Sequence, residues 1–257
     1  MSRLKELESR QTKSLQTKRC PICESIMGIK LVKNNYEIVQ CLECDFLCVY
    51  PMTSTQQITD YYATAYRGAT EDWYPKDLDR RWRAFTRSLL FVRYILGKDV
   101  VDLGCGGGQM LQALGRFAKS ATGVDLSSNS LAFARKHFAK HTFYDEPLST
   151  FAQRGLTYDF VFSSELLEHL ADPHEFMRTV SQITRPGGLV YLSAPDAGHA
   201  AVPIPLKTWT DICPPEHLQW FSEHNLNLLF QQYGFRPHRR FRSKSPAHSA
   251  MFQKIGV

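Results

Sequence analysis

Two cysteine pairs and one glycine-rich segment hold the residue types in this chain best suited to chemistry. Cys20-Pro21-Ile22-Cys23 and Cys41-Leu42-Glu43-Cys44 are separated by 17 residues, a spacing that lets four thiolates converge on one zinc ion. Four protein ligands leave no open coordination position, so the expected metal is structural. Cys48 follows on the next apolar run and is read as packing. The glycine segment is Val100-Val101-Asp102-Leu103-Gly104-Cys105-Gly106-Gly107-Gly108. Glycines after an apolar strand let the backbone turn sharply and approach a ligand with no Cβ in the way. Asp125 closes a second apolar run, and Asp145 follows a third. His169 and His217 are the candidates for moving a proton, because histidine is the side chain whose ordinary pKa lies nearest neutral pH.

The elements that must position these groups follow from periodicity. Ile29–Val32 and Tyr36–Val39 flank Asn34-Asn35 and predict two short strands around a hairpin turn. With the cysteine pairs they have the layout of a zinc ribbon. A polar stretch with Tyr61, Tyr62 and Tyr66 comes next. Leu78, Trp82, Phe85, Leu89, Val92 and Leu96 recur at helical spacing and predict one helix over 77–96, with Arg80, Arg81, Arg83 and Arg87 on its solvated face.

From Asp99 onward strands and helices alternate. Strands are expected at 99–103, 121–125, 142–144, 158–163 and 189–194. Helices are expected at 109–118 and 129–138, then after the cap Asp172, and at 222–233 before Gly234. This alternation implies a doubly wound parallel sheet. The divisions read this way are a flexible arm (1–19), a zinc ribbon (20–50), a linker with N-terminal helices (51–98) and an α/β domain (99–257).

The net charge of +6 permits an acidic partner such as nucleic acid or a phosphorylated substrate, although plain solubility is its ordinary meaning. No apolar run is long enough to span a membrane, and residues 1–19 lack the apolar stretch of a signal peptide. The reading is a soluble cytoplasmic protein with reduced cysteines.

The glycine turn separates two cofactor chemistries. A dinucleotide turn wants G-x-G-x-x-G, and the sixth position here is Gln109. The order from Asp102 through Gly104, Gly106 and Gly108 is D-x-G-x-G-x-G and resembles class I S-adenosylmethionine-dependent methyltransferases, in particular the ubiquinone-type and sugar methyltransferases. Further matches follow in order: Tyr158–Phe162, Leu167–Pro173, Arg185–Gly188, Pro195-Asp196 and Glu216–Ser222. The N-terminal part is similar to the zinc-ribbon leader on many of these enzymes. One departure is Asp45, where such leaders place a glycine able to adopt positive φ.

The resemblance implies a Rossmann-like, seven-stranded α/β methyltransferase sheet carrying a small zinc ribbon. It implies S-adenosylmethionine as donor, with Asp102, Gly104, Cys105, Gly106, Gly108, Asp125, Leu126 and Asp145 as the cofactor-binding residues. A carboxylate such as Asp102 suits the cationic sulfonium and ammonium. Asp125 suits the two ribose hydroxyls, and Asp145 the adenine amino group. Cys20, Cys23, Cys41 and Cys44 are the metal ligands.

A hydroxyl acceptor needs a base, and His217, in a proline-rich loop, is ranked ahead of His169. The alternative for each is a structural histidine. Tyr66, Trp73 and Trp209 are candidate walls of an acceptor pocket. The acceptor expected is a small molecule or saccharide, methylated on oxygen. The alternatives are RNA or protein docked through the ribbon, and a non-catalytic binding protein.

Overall fold

A computed structural model of the chain describes residues 18–53, 58 and 68–256. The cluster Tyr61, Tyr62 and Tyr66 lies outside these residues. The first strands are β1 (Met27–Lys33), β2 (Tyr36–Cys41) and β3 (Leu47–Tyr50). Asn34 and Asn35 join β1 to β2 at φ of 52° and 64°. Both central positions are left-handed, as the twist of a tight hairpin requires, and asparagine tolerates that region.

The helix expected over 77–96 is two helices, α1 (Asp77–Ser88) and α2 (Val92–Ile95). Phe91 lies between them, fully buried, with its ring 4.7 Å from Tyr191 and 5.7 Å from both Phe160 and Phe162. Driving that ring into the sheet ends α1. The face of α1 also differs from the expected one. Leu78 and Trp82 are exposed (81% and 68%), whereas Ala84 and Ser88 are buried.

The following elements are β4 (Asp99–Leu103), α3 (Gln109–Leu114), β5 (Ser120–Asp125), α4 (Ser128–His137), β6 (Thr142–Asp145), α5 (Leu148–Ala152) and β7 (Tyr158–Ser164). A single 3₁₀ turn (Leu167–His169) leads to α6 (Pro173–Ile183), β8 (Thr184–Pro195), β9 (Gln219–Trp220), α7 (Glu223–Gln232), β10 (Phe235–Arg240) and β11 (Ala247–Lys254). Ser127 accepts from Ser130 N–H to cap α4, and Asp172 accepts from His174 N–H to cap α6. α3 ends at Leu114 instead of Ala118. β8 begins at Thr184 and runs through Pro186-Gly187-Gly188, with an irregular register between its pairings to Tyr158 and Phe160.

The seven-stranded sheet has the order β10-β11-β8-β7-β4-β5-β6. β4 to β8 are parallel, as expected. β11 lies antiparallel to both β8 and β10, so the sheet is mixed. Chain order reverses at β4, which pairs with β5 on one side and β7 on the other. In open α/β sheets the crevice at such a reversal, beyond the carboxyl ends of the strands, is where ligands bind.

The smaller sheet has the order β1-β2-β3-β9, so its fourth strand comes from the α/β body. Val49 N–H donates to the Leu218 carbonyl at 2.9 Å. Asn225 Nδ2 donates to the Cys44 carbonyl, Gln232 Nε2 to that of Ile22, and His174 Nε2 to that of Pro21. Cys20, Ile22 and Phe46 share one buried cluster with Leu167, Phe176, Phe221 and Leu226. The cysteine module and the α/β body therefore have a common core. No helix among the described residues is long and apolar enough to cross a membrane.

Candidate active site

A cavity of about 580 Å³ opens at the carboxyl ends of β4, β5 and β7. Asp102, Gly104, Cys105, Gly106, Asp125 and Leu126 line one part of it. Gly104 sits at φ +77°, and a Cβ there would meet Leu166 at 3.3 Å. Only glycine combines that backbone with that clearance. Asp125 Oδ2 accepts from Gly106 N–H at 2.7 Å and Oδ1 from Ser127 N–H at 2.8 Å. A carboxylate at the end of a strand, with two oxygens that can each accept more than one hydrogen bond, is the kind of group that suits a diol.

Asp102 is buried one turn of chain before these glycines. Burial, and then the like charge of Asp125, hold its carboxyl well above the ordinary range, partly offset by Arg87. A buried carboxyl in this condition is a receptor for positive charge, because a cation beside it restores the ionised form.

Arg80, Arg83 and Arg87 also line the cavity, together with Tyr74, Phe162, Ser164, Glu165 and His169. Arg87 donates to Ser164 Oγ at 3.2 Å and to the Tyr191 hydroxyl at 2.6 Å. Glu165 has φ of +55° and accepts from Ser193 Oγ at 3.0 Å. A non-glycine residue held in that region at a strand end is the kind of strain that concentrates at working sites.

The two histidines meet, with ring centroids 4.8 Å apart and an edge-on angle of 74°. His169 Nδ1 donates to the Glu216 carbonyl at 2.7 Å, and His217 Nδ1 donates to the Asp211 carbonyl at 2.8 Å. With Nδ1 protonated in both, each neutral ring keeps its lone pair on Nε2. Glu168 is fully buried beside them, and burial followed by the charge of Glu165 pushes its carboxyl well up. Ligand-type atoms of Glu168, His169 and His217 lie within 4.8 Å of one another.

The four cysteine sulfurs also lie within 4.8 Å of one another. Cys20 Sγ is 3.6 Å from Cys44 Sγ, and Cys23 Sγ is 3.4 Å from Cys41 Sγ. Tetrahedral zinc with bonds near 2.3 Å would place sulfurs about 3.8 Å apart, so the cluster fits that ion. Ile22 N–H and Cys44 N–H point at Cys20 Sγ and Cys41 Sγ. Burial pushes the Cys20 thiol up to about 12, so a thiolate at that position calls for a cation. Asp45, where related leaders have glycine, has φ of +60°.

A methyltransferase-domain family profile matches residues 74–239, more than half of the chain. The chain belongs to this methyltransferase family. Among curated relatives, it is 29% identical over 156 residues to a ubiquinone biosynthesis O-methyltransferase of Vibrio cholerae, covering 56% of this chain and 63% of that protein. It is 34% identical over 119 residues to the protein of the same name from Rhizobium johnstonii, covering 45% of this chain and 48% of that protein. The chain thus spans less than two thirds of the length of either relative. Among solved structures, it superposes on the magnesium protoporphyrin IX methyltransferase of Synechocystis with bound SAH. That match has a TM-score of 0.60 and 17% identity, covering 78% of this chain and all of the other. An S-adenosylmethionine-dependent methyltransferase of Mesorhizobium loti gives a TM-score of 0.54 at 19% identity, covering 68% and 98%.

Within the methyltransferase fold, the predicted site residues divide clearly. Six of the predicted cofactor residues line the cavity. Gly108 does not: it starts α3 at φ +77°, and a Cβ there would press on Ala134 and Phe138 at 3.2 Å. Asp145 is exposed, and its successor Glu146 lines the cavity instead. One step along an extended chain turns the side chain to the other side. His169 lines the cavity, whereas His217 stands behind it.

Trp73 is exposed, and Trp209 is buried with Trp220 beneath the small sheet, so neither walls the cavity. Tyr66 lies outside the described residues. The three arginines of α1 were placed on a solvated face and instead line the cavity. Glu165 and Tyr74 carried no sequence signal. Gln109 had one, as the residue breaking the dinucleotide pattern, and its Nε2 donates to Asp77 at 2.9 Å, tying the glycine turn to α1.

Proposed function

We propose that this chain transfers a methyl group from S-adenosylmethionine to an oxygen of a small-molecule acceptor. The observation that carries this reading is the single cavity joining Asp102, Gly104, Gly106 and Asp125 to His169. The donor residues fit the group: Gly104 makes a positive-φ turn at the cavity where a Cβ would press on Leu166, Asp102 is a buried receptor for a cation, and Asp125 suits a diol. When bound, S-adenosylmethionine supplies an electrophilic methyl on its sulfonium.

The chain's part is to align the acceptor with that methyl and to take its proton, and alignment alone contributes several kcal/mol. His169 is the base in this reading, its Nε2 lone pair set by the Nδ1–H bond to the Glu216 carbonyl. His217 packs edge-on against it and acts by positioning. Family membership and the O-methyltransferase names of the relatives support the oxygen acceptor. Cys20, Cys23, Cys41 and Cys44 hold a structural zinc. Their burial against α6 and α7 supports a structural use of the ribbon over docking of RNA or protein.

Calorimetry with S-adenosylmethionine and with its product S-adenosylhomocysteine (SAH) tests the donor. Wild type is expected to bind both, and Asp125→Ala to lose at least roughly tenfold in affinity, since a bidentate charge-assisted contact disappears. No binding by wild type would overturn the reading. Retained affinity in Asp125→Ala would remove the ribose role alone. Transfer of labelled methyl into small-molecule extract, saccharide, RNA and protein fractions then assigns the acceptor class, with label expected in the first.

A further inference from the structure

The arginine face of α1 exceeds what the donor requires. Arg80, Arg83 and Arg87 recur at three- and four-residue spacing, with the small buried Ala84 among them, and so share one side of the helix. Arg81 is spent elsewhere, paired with Asp77 at 2.6 Å and lying over the Phe138 ring. Among the described residues, Arg80, Arg83 and Arg87 form no ion pair with a carboxylate, although Asp102, Asp125, Glu146, Glu165 and Glu175 line the same cavity.

The three guanidinium groups are held differently. Arg87 uses both terminal nitrogens, on Ser164 and Tyr191, and its charge acts on Asp102. It belongs to the donor side. Among the described residues, Arg80 donates Nε alone, to the Pro75 carbonyl at 3.0 Å, with its guanidinium over the Tyr74 ring. Among the same residues, Arg83 donates Nε alone, to the Asp79 carbonyl at 3.4 Å. Anchoring Nε to backbone leaves the terminal amino pair of each fork for a ligand, among the described residues.

A carboxylate brings two oxygens and one charge and is saturated by one guanidinium fork. Two neighbouring forks match a group with three or more terminal oxygens and about two charges. We propose that Arg80 and Arg83 hold a phosphoryl group of the acceptor, so that the small molecule methylated by this chain is a phosphorylated one. This rests on the methyltransferase reading above. The phosphoryl group anchors the acceptor at the cavity wall contributed by α1, and the hydroxyl to be methylated reaches toward His169. Specificity then comes from α1 and the donor from the strand ends.

The test uses the full chain and pyrophosphate as probe. SAH is titrated first, then pyrophosphate is titrated into SAH-saturated protein at constant ionic strength. Wild type, Arg80→Gln, Arg83→Gln and, as a control outside the cavity, Arg242→Gln are compared. Glutamine is a good helix former, so α1 should persist, as circular dichroism would verify.

Pyrophosphate is expected to bind wild type and Arg242→Gln alike. It should bind each cavity variant at least roughly tenfold more weakly, the scale of a lost charge-assisted bidentate contact. SAH affinity is expected to stay within about threefold throughout, because the donor is held by other residues. Pyrophosphate binding that is absent from wild type, or unchanged in both cavity variants, overturns the proposal and leaves the donor reading standing. A comparable loss of SAH affinity in either variant assigns that arginine to the donor's own carboxylate and overturns it as well. Failure of wild type to bind SAH overturns the donor reading and this proposal with it.

Discussion

Asp102 is the residue at which burial and chemistry meet most directly. Its carboxyl is held well above the ordinary range, by burial first and by Asp125 second, with Arg87 opposing. The sign of the consequence is definite. A raised pKa keeps Asp102 neutral at acidic pH, and a neighbouring cation favours the ionised form. S-adenosylmethionine should therefore bind more tightly as pH rises above the ordinary carboxylate value of about 4, releasing a proton as it binds. SAH lacks the sulfonium charge, so its affinity should depend less on pH. Asp102→Asn is expected to weaken S-adenosylmethionine roughly tenfold and to flatten its pH profile. Calorimetry at pH 5 and pH 8, in buffers of different ionisation enthalpy, reads both effects. An unflattened profile in the variant would place the titrating group elsewhere. Asp102 and Asp125 were legible because an acid closing an apolar run beside glycines has few other uses. Asp145 was placed one residue from the cavity-lining Glu146, since the end of a short strand is poorly marked and one step reverses the side chain.

At the scale of elements, strands and caps were readable because each had a local cause. The Asn34-Asn35 turn, Ser127 and Asp172 all act within a few residues of themselves. α1 was misread because two stripes with the same helical spacing compete in it. Leu78 and Trp82 form the apolar one, Arg80, Arg83 and Arg87 the polar one, and the site selects the polar stripe. Hydrophobicity points to a core contact and carries no information about a polar cavity. Glu165 was invisible for another reason, since its positive φ is imposed by the surrounding sheet and not by its own residue type. The knuckle after Cys44 is the converse case, predicted from sequence to need positive φ and found there at Asp45. Left-handed backbone costs a non-glycine residue about 1 kcal/mol or more, while the exposed bond from Gln40 Nε2 to Asp45 Oδ1 returns a part of it. Asp45→Gly should stabilise the zinc-loaded protein by about 0.5–1 kcal/mol. The denaturant midpoint at fixed zinc checks this, and a lower midpoint would show that the Gln40 contact outweighs the strain.

The whole molecule behaves as one cooperative body if its cysteine module is inseparable from the sheet that carries the donor site. Three features bind them. β9 completes the small sheet, the knuckles share a buried cluster with α6 and α7, and Leu218 N–H donates to the Glu168 carbonyl while its own carbonyl accepts from Val49. Leu218 directly follows His217, so the strand pairing made by β3 also fixes the loop that holds the histidine pair. Structural zinc contributes roughly 10 kcal/mol or more of apparent binding energy to small modules. Losing even about 3–5 kcal/mol of it from a chain of this size should lower Tm by on the order of 10 °C. Chelation is therefore expected to release one zinc per chain and to shift a single unfolding transition downward, with no separate early step for the ribbon. Hydrogen exchange localises the damage. The amides of Val49 and Leu218 should lose protection in the stripped protein, whereas those of β4 and β5 should retain it, because the parallel sheet closes without the module. SAH affinity should fall little, since Asp102 and Asp125 stand on those protected strands and Gly104 directly follows the first of them. A stripped protein with an unchanged main transition and protected Leu218 would mean that the ribbon only rides on the α/β body. Concerted loss of zinc and of Leu218 protection, with the donor end intact, would instead assign the metal the task of holding the histidines to the acceptor side of the cavity.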